Sequence, residues 1–251
     1  MAAFAEAPCG RLFVVQLLTA ALVAASVVWF LGRCYAPIIT QAVQKLPTGG
    51  AITNGLLTGF DDLEISETKF LSIAFASDPD PALDRSADVQ VAFRDDRVVV
   101  SSLLSSEMGS FEIEYGTLNN WNLSRAQIEP LWGAWQPVLL VGVGVAVAFC
   151  LLLIWWALAI VYTPVAKLVA WLGDRDVTWA GSWRLASAAL MPGAVLMAAA
   201  IVLYGSQLLD VFGLGWLEIV HLFVGGVYLM AAPMFAPRLT RGLLKPNPFT
   251  S

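Results

Sequence analysis

Glu218 and His221 are the one pairing in this sequence with evident reactive potential. Three residues apart, they share a helix face. They stand in a stretch so apolar that an ionisable group there is costly unless paired or hydrated. A carboxylate beside an imidazole can relay a proton or hold a ligand or ion. The same pair can equally be an interfacial, hydrogen-bonded structural feature, because Glu218 lies only about a turn and a half inside the apolar stretch, where water and headgroups reach.

The remaining residues narrow the chemistry. His221 is the only histidine, so one copy of the chain cannot assemble a histidine metal cluster. Glu-x-x-His also occurs in di-iron helix bundles, but those need further carboxylates on facing helices, and the other apolar stretches supply none. No serine nucleophile elbow, phosphate loop or zinc motif is present. We therefore expect no cofactor, no metal and no enzymatic activity. The acidic runs Asp61-Asp62-x-Glu64-x-x-Glu67 and Asp78-x-Asp80 lack the order of a calcium loop and read as a solvated acidic surface. Cys9 precedes the first apolar stretch, Cys34 follows its far end and Cys150 lies within the second, positions that do not suggest an intramolecular disulfide framework.

What must position the pair is a set of membrane helices. Residues 12–32, 130–166, 185–209 and 219–237 contain no Lys, Arg, Asp or Glu, and each is long enough to cross a hydrocarbon core of about 30 Å. Across 251 residues the chain is 58% hydrophobic and only 13% charged, with a mean hydropathy of +0.72. That balance lies well outside the range of soluble domains. The expected spans are 12–32, a retained signal anchor, then 136–162, 185–205 and 212–233. Met191-Pro192-Gly193 lies in the third. Pro192 frees a carbonyl and bends the helix, so Pro192 and Gly193 mark a kink that serves either packing or a hinge. Ala186, Ser187, Ala189, Gly193, Ala194 and Ala198 provide small surfaces for close helix approach. Gly142-x-Gly144 is read as helix packing too, since it has no strand-to-helix context.

Orientation follows from the basic residues. Arg11, then Lys167, Arg175 and Arg184, then Arg238, Arg241 and Lys245 fall on one side of a four-span topology, which the positive-inside rule makes cytoplasmic. Both termini (1–11 and 234–251) and the connection 163–184 are then cytoplasmic, whereas 33–135 and the short loop 206–211 lie outside. Trp29, Trp132, Trp135 and Trp216 sit near the outer ends, and Trp171, Trp179 and Trp183 near the inner ones, as indoles prefer. Trp155 and Trp156 lie deeper, where packing against another helix would accommodate them. The expected location is a bacterial-type cytoplasmic (inner) membrane.

Residues 33–135 hold seven basic and fourteen acidic side chains and read as strands. Leu71, Ile73 and Phe75, then Val89, Val91 and Phe93, then Phe111, Ile113 and Tyr115 alternate with smaller or polar residues, the period of half-buried strands. Arg94-Asp95-Asp96-Arg97 before Val98-Val99-Val100 suggests a hairpin, and Asp78-Pro79-Asp80-Pro81 a loop. The expected fold class is membrane α+β: a four-transmembrane-helix bundle with a small, mostly-β extracytoplasmic domain inserted between helices 1 and 2.

Thr163-Pro164-Val165-Ala166-Lys167, followed by Trp183-Arg184-Leu185-Ala186-Ser187-Ala188-Ala189-Leu190-Met191-Pro192, resembles the pattern of the Yip superfamily of multi-pass membrane proteins. There, a short cytoplasmic connection leads through an aromatic-basic pair into a proline-containing span. The layout, with Ile52-Thr53-Asn54-Gly55-Leu56 in the outside domain, also resembles an uncharacterised bacterial branch of predicted membrane proteins. The resemblance implies a role in membrane organisation or trafficking and transfers no site residues. This chain departs from Yip proteins in having four spans rather than about five and in its large outside domain.

Two functions remain open at this point. One is a non-enzymatic accessory, scaffold or sensing protein that sits in the lipid bilayer and binds a protein partner or a second copy through the outside domain. The other is a small transporter or channel component using Glu218/His221 as a polar relay and Pro192 as a hinge. With a sequence pI of about 4.8, nucleic acid is not an expected partner.

Overall fold

The computed structural model describes residues 8–60, 63–75, 87–103, 110–116 and 121–238. The expected loop at Asp78–Pro81, the acidic residues Asp61 and Asp62, and the basic residues Arg241 and Lys245 lie outside these segments.

Among the described residues, four helical stretches are long and apolar enough to cross a membrane: Gly10–Gln44, Arg125–Leu172, Trp179–Gly205 and Val211–Met234. Small β-sheets accompany them. Two of these stretches are not single helices. The first stretch is three consecutive pieces, α1 (Cys9–Phe30), a π-helical turn (Leu31–Tyr35) and α2 (Ala36–Gln44). Pro37 stands at the start of α2. In an uninterrupted α-helix its ring would meet the Arg33 carbonyl, and a widened turn relieves that clash. Arg33 lies within the π-helical turn, its guanidinium over the Trp29 ring at 5.9 Å from the centroid. The third stretch is two helices, α4 (Trp179–Ala189) and α5 (Met191–Gly205), interrupted at Leu190.

α3 (Arg125–Leu172) is one helix of 48 residues. At about 1.5 Å per residue it is roughly 72 Å long, more than twice a hydrocarbon core. α6 covers Val211–Met234. The side chain of Thr178 caps α4 by accepting a hydrogen bond from the Gly181 N–H at 3.0 Å, satisfying one of the donors every helix start leaves open.

The strands are β1 (Ala51–Thr53), β2 (Leu56–Thr58), β3 (Leu63–Glu67), β4 (Leu71–Phe75), β5 (Val89–Phe93), β6 (Arg97–Ser102), β7 (Phe111–Glu114) and β8 (Trp121–Asn122). They form two sheets, ordered β2-β1-β8 and β3-β4-β5-β6-β7. The β5–β6 hairpin forms as expected, with Phe93 opposite Val98. β4 and β5 pair in parallel, which requires a crossover rather than a tight turn. Asn54 and Gly55, at φ 53° and 77°, join β1 to β2 with Thr53 opposite Leu56. A two-residue turn needs positive φ at both positions, which Asn-Gly supplies at least cost.

The chain divides into two compact units. One comprises Ser26–Gly144 with Ile201–Leu214. Its core lies where Ile38 and Ala42 of α2 pack on Leu71, Ile73 and Phe75 of β4, and Phe75 stacks between Phe60 and Phe93 at centroid distances of 4.4 and 4.6 Å. Burying such a ring contributes about 1.5–3 kcal/mol. Trp132 of α3 donates its indole N–H to the Thr40 hydroxyl at 2.9 Å. A β-carbon on Gly144 would come within 2.9 Å of a Val28 methyl, whereas Gly142 faces open space. The paired-glycine reading therefore holds for Gly144 alone.

The other unit comprises Met1–Ala25, Val145–Ala200 and Gly215–Ser251. Its packing is carried by small residues: Ala20 and Val23 of α1 meet Trp155, Ala194 and Ala198, while Ala159 and Ala166 of α3 meet Ala186, Ala189 and Leu229. Small side chains let helix backbones approach where lipid removes the hydrophobic drive to associate. Trp155 is buried; Trp156 is exposed, with its ring 6.2 Å from that of Phe13. Lys167 donates to the Val177 carbonyl and Arg175 to the Ala236 carbonyl at 2.9 Å, so two of the basic residues that suggested topology also satisfy carbonyls just beyond helix ends.

Candidate functional site

Val211 starts α6, which places Glu218 about two turns in and His221 about three. Their i, i+3 spacing brings Glu218 Oε2 to 3.7 Å from His221 Nδ1, close enough for attraction but beyond a hydrogen bond. The Glu218 side chain is 58% exposed and that of His221 21%. Nδ1 itself is buried and has no hydrogen-bond partner.

Pro192 and Gly193 lie at the start of α5, directly after the interruption at Leu190. Proline has no N–H for the helix ladder and disfavours helical backbone before it. Gly193 is buried against α6: a β-carbon there would come within 2.7 Å of the His221 carbonyl oxygen. The structure thus brings three of the four sequence-selected residues to one place. Gly193 lies against the His221 backbone where α5 approaches α6, Glu218 stands beside His221 one turn earlier on α6, and Pro192 is adjacent in sequence to Gly193.

Glu218 and His221 open onto a cavity of about 380 Å³. Its walls come from Val23 of α1, Leu151–Tyr162 of α3, Leu190–Met197 at the start of α5, and Glu218–Leu229 of α6. Among the described residues no lysine or arginine lines it. Elsewhere in this unit Gln16, Ser182 and Ser187 are fully buried with side-chain atoms that lack partners. Among the described residues no group of three or more His, Cys, Asp or Glu could hold a metal.

A second polar feature was not foreseen. Asp88, directly before β5, and Gln90 within it stand at the polar positions of the alternation, which predicts a solvent face, yet they are 5% and 7% exposed. Both faces of the central strands are covered, and a buried carboxylate then needs a donor. Tyr204 of α5 provides it, donating its hydroxyl proton to Asp88 Oδ2 at 2.6 Å, amid Phe30, Phe70 and Tyr35. Alternation hid this contact, since an Asp directly before Val89 and in step with Gln90 resembles a solvent-facing position.

β7 also departs from expectation. All four of its residues are exposed, Phe111 at 68% and Ile113 at 49%. Its alternation predicts a half-buried strand, but it lies at the sheet's edge, and among the described residues only β6 pairs with it. Tyr115, just beyond, is buried, and burial raises the pKa of its hydroxyl. Arg97 ties the edge down with bonds to Glu112 Oε2 at 2.7 Å and to both Asp96 oxygens. Those bonds hold both carboxyls below the ordinary carboxylate range. A depressed folded pKa means the contribution is present above the unfolded carboxylate value of about 4 and fades as pH falls through the folded value. We expect Arg97→Gln to return the Glu112 titration midpoint to its ordinary position, followed by carboxyl ¹³C NMR of the full chain in micelles; an unchanged midpoint would show that the bond is not made in solution.

Comparison with family profiles, characterised proteins and solved structures finds no match to this chain.

Proposed function

We propose that this chain is a non-enzymatic membrane accessory protein that recruits a protein partner by strand addition at β7. In this reading the four apolar helices form a bundle in a cytoplasmic-type membrane, and the β-sheets stand outside it between the first and second spans. The exposure of β7 carries the proposal. An edge strand presents a row of unpaired N–H and C=O groups, and proteins usually blunt such an edge or use it. Here the edge is short but apolar on one face, with Phe111 and Ile113 exposed. A partner's extended segment could pair with the backbone while covering those two side chains.

The transport reading is less well served. A proton or ion pathway needs polar, hydrated walls, and those of the cavity at Glu218 are mostly apolar. Co-purification in mild detergent at native expression tests the accessory role, with mass measured by light scattering. The wild-type chain should run as a complex, and the double substitution Phe111→Asp, Ile113→Asp should release the partner while changing the chain's own stability by no more than about 1 kcal/mol, about 0.5 kcal/mol for each exposed substitution. A lone wild-type monomer, or a complex indifferent to both substitutions, would sink the idea.

A further inference from the structure

The pairing of β7 with β6 fixes which way each backbone group of the edge points. In an antiparallel pair, successive residues alternate between bonding the neighbour and facing away from it. The Tyr115 N–H donates to the Asp96 carbonyl at 3.0 Å, and the register sets Ile113 opposite Val98 and Phe111 opposite Val100. Tyr115, Ile113 and Phe111 therefore turn their N–H and C=O groups toward β6. Glu112 and Glu114 turn theirs outward, to the side on which no described strand pairs. An added strand would bond to the backbone of these two glutamates.

The side chains then state what that strand must carry. Residues directly opposite share a face, so two of its positions stand beside Glu112 and Glu114, and the one between them beside Ile113. On the apolar face Phe111 and Ile113 are exposed. On the other, Glu112 is bonded to Arg97, whereas Glu114 is exposed and makes no ion pair among the described residues. With the adjoining turn, residues 94–97 and 111–114 hold four carboxylates against two guanidiniums. A second copy is a poor occupant: outward residues must meet outward residues, so two β7 strands pairing antiparallel would set glutamate opposite glutamate, which is destabilising. Charge thus blunts the edge against copies of itself and leaves it open to the opposite sign.

We propose that the strand recruited at β7 is a segment of the partner in which Lys or Arg alternates with β-branched apolar residues. It adds antiparallel, its basic side chains beside Glu112 and Glu114 and its apolar ones beside Ile113 and Phe111. This assignment rests on strand addition at β7 and gives the partner its chemistry.

The test uses the full chain in phosphocholine micelles, which carry no net charge to collect basic peptides. It is titrated with peptides that place Lys-Val-Lys-Val, Thr-Val-Thr-Val or Glu-Val-Glu-Val between glycine-serine flanks. Binding is read from the anisotropy of a dye on the peptide and from amide hydrogen exchange along β7. The lysine peptide should bind about tenfold tighter than the threonine one, having two cross-strand charge pairs in addition, and the glutamate peptide should bind more weakly than either. On binding, the outward N–H groups of Glu112 and Glu114 should become protected, while those of Phe111 and Ile113, already bonded to β6, should change little. Glu114→Lys should abolish the lysine preference and let the glutamate peptide compete. If that variant misfolds, Glu114→Gln decides, with an expected loss of about threefold in the preference. If no peptide protects Glu112 and Glu114, strand addition at β7 fails and this assignment with it. If all three protect them equally, or the preference survives the loss of the Glu114 charge, strand addition stands and the basic partner is overturned.

Discussion

Gly193→Ala should destabilise the helical unit by about 1–3 kcal/mol, the usual range when an atom is forced into a filled space. The added methyl would lie 2.7 Å from the His221 carbonyl oxygen, and that neighbour is backbone on a packed helix rather than the end of a flexible side chain. α5 and α6 must separate, and the separation moves His221 itself. A second glycine supplies the contrast. At Gly226, on α6, a β-carbon meets nothing within 4 Å, so Gly226→Ala should be neutral or slightly stabilising, given alanine's advantage of about 1 kcal/mol over glycine inside a helix. Thermal midpoints in detergent separate the two variants. Equal effects at both positions would show that α5 and α6 are not in close contact at Gly193.

That contact was partly legible in the sequence. The small residues of 186–198 implied close helix approach, and Ala186, Ser187, Ala189, Gly193, Ala194 and Ala198 are all buried. What they approach was not legible, because a small side chain specifies proximity without naming the neighbour. Glu218 and His221 were found by their cost in an apolar stretch, and their separation follows from helix geometry alone. The cavity beside them leaves no such mark, since the leucines and glycines that line it would equally suit a filled bundle.

In the strand region, alternation located β4, β5 and β7 closely, but it misjudged their faces. Period-2 patterning states which residues share a face; it does not state whether the opposite face is covered. β4 is buried along its whole length, β7 is exposed along its whole length, and in β5 the polar residue Gln90 is more buried than its valine neighbours. The parallel pairing of β4 with β5 is a long-range choice that local pattern cannot encode. The hairpin at Asn54-Gly55 could have been read directly, since Asn-Gly between apolar residues is a strong turn signal.

Tyr204→Phe should cost about 2–4 kcal/mol in the unit that contains the sheets. Hydrogen bonds to charged groups contribute about 1.5–3 kcal/mol, and orphaning a buried acceptor adds its desolvation penalty. Asp88 and Tyr204 are each only 5% exposed, so water cannot easily replace the lost hydroxyl. The position magnifies the effect. Asp88 also receives the Leu103 N–H on its carbonyl and donates its own N–H to Lys69, so a displaced carboxylate disturbs the entry to β5 as well as the end of α5. Asp88→Asn retains an acceptor oxygen for the tyrosine and should cost less than Tyr204→Phe. Asp88→Leu with Tyr204→Phe removes both polar groups together and should cost less than the two single changes summed, the sign of a coupled pair. The measurements are thermal midpoints of all four variants and proteolytic cleavage within 87–103. Additive effects, or a Tyr204→Phe protein as stable and protease-resistant as wild type, would show that the 2.6 Å contact is a close approach without energetic weight.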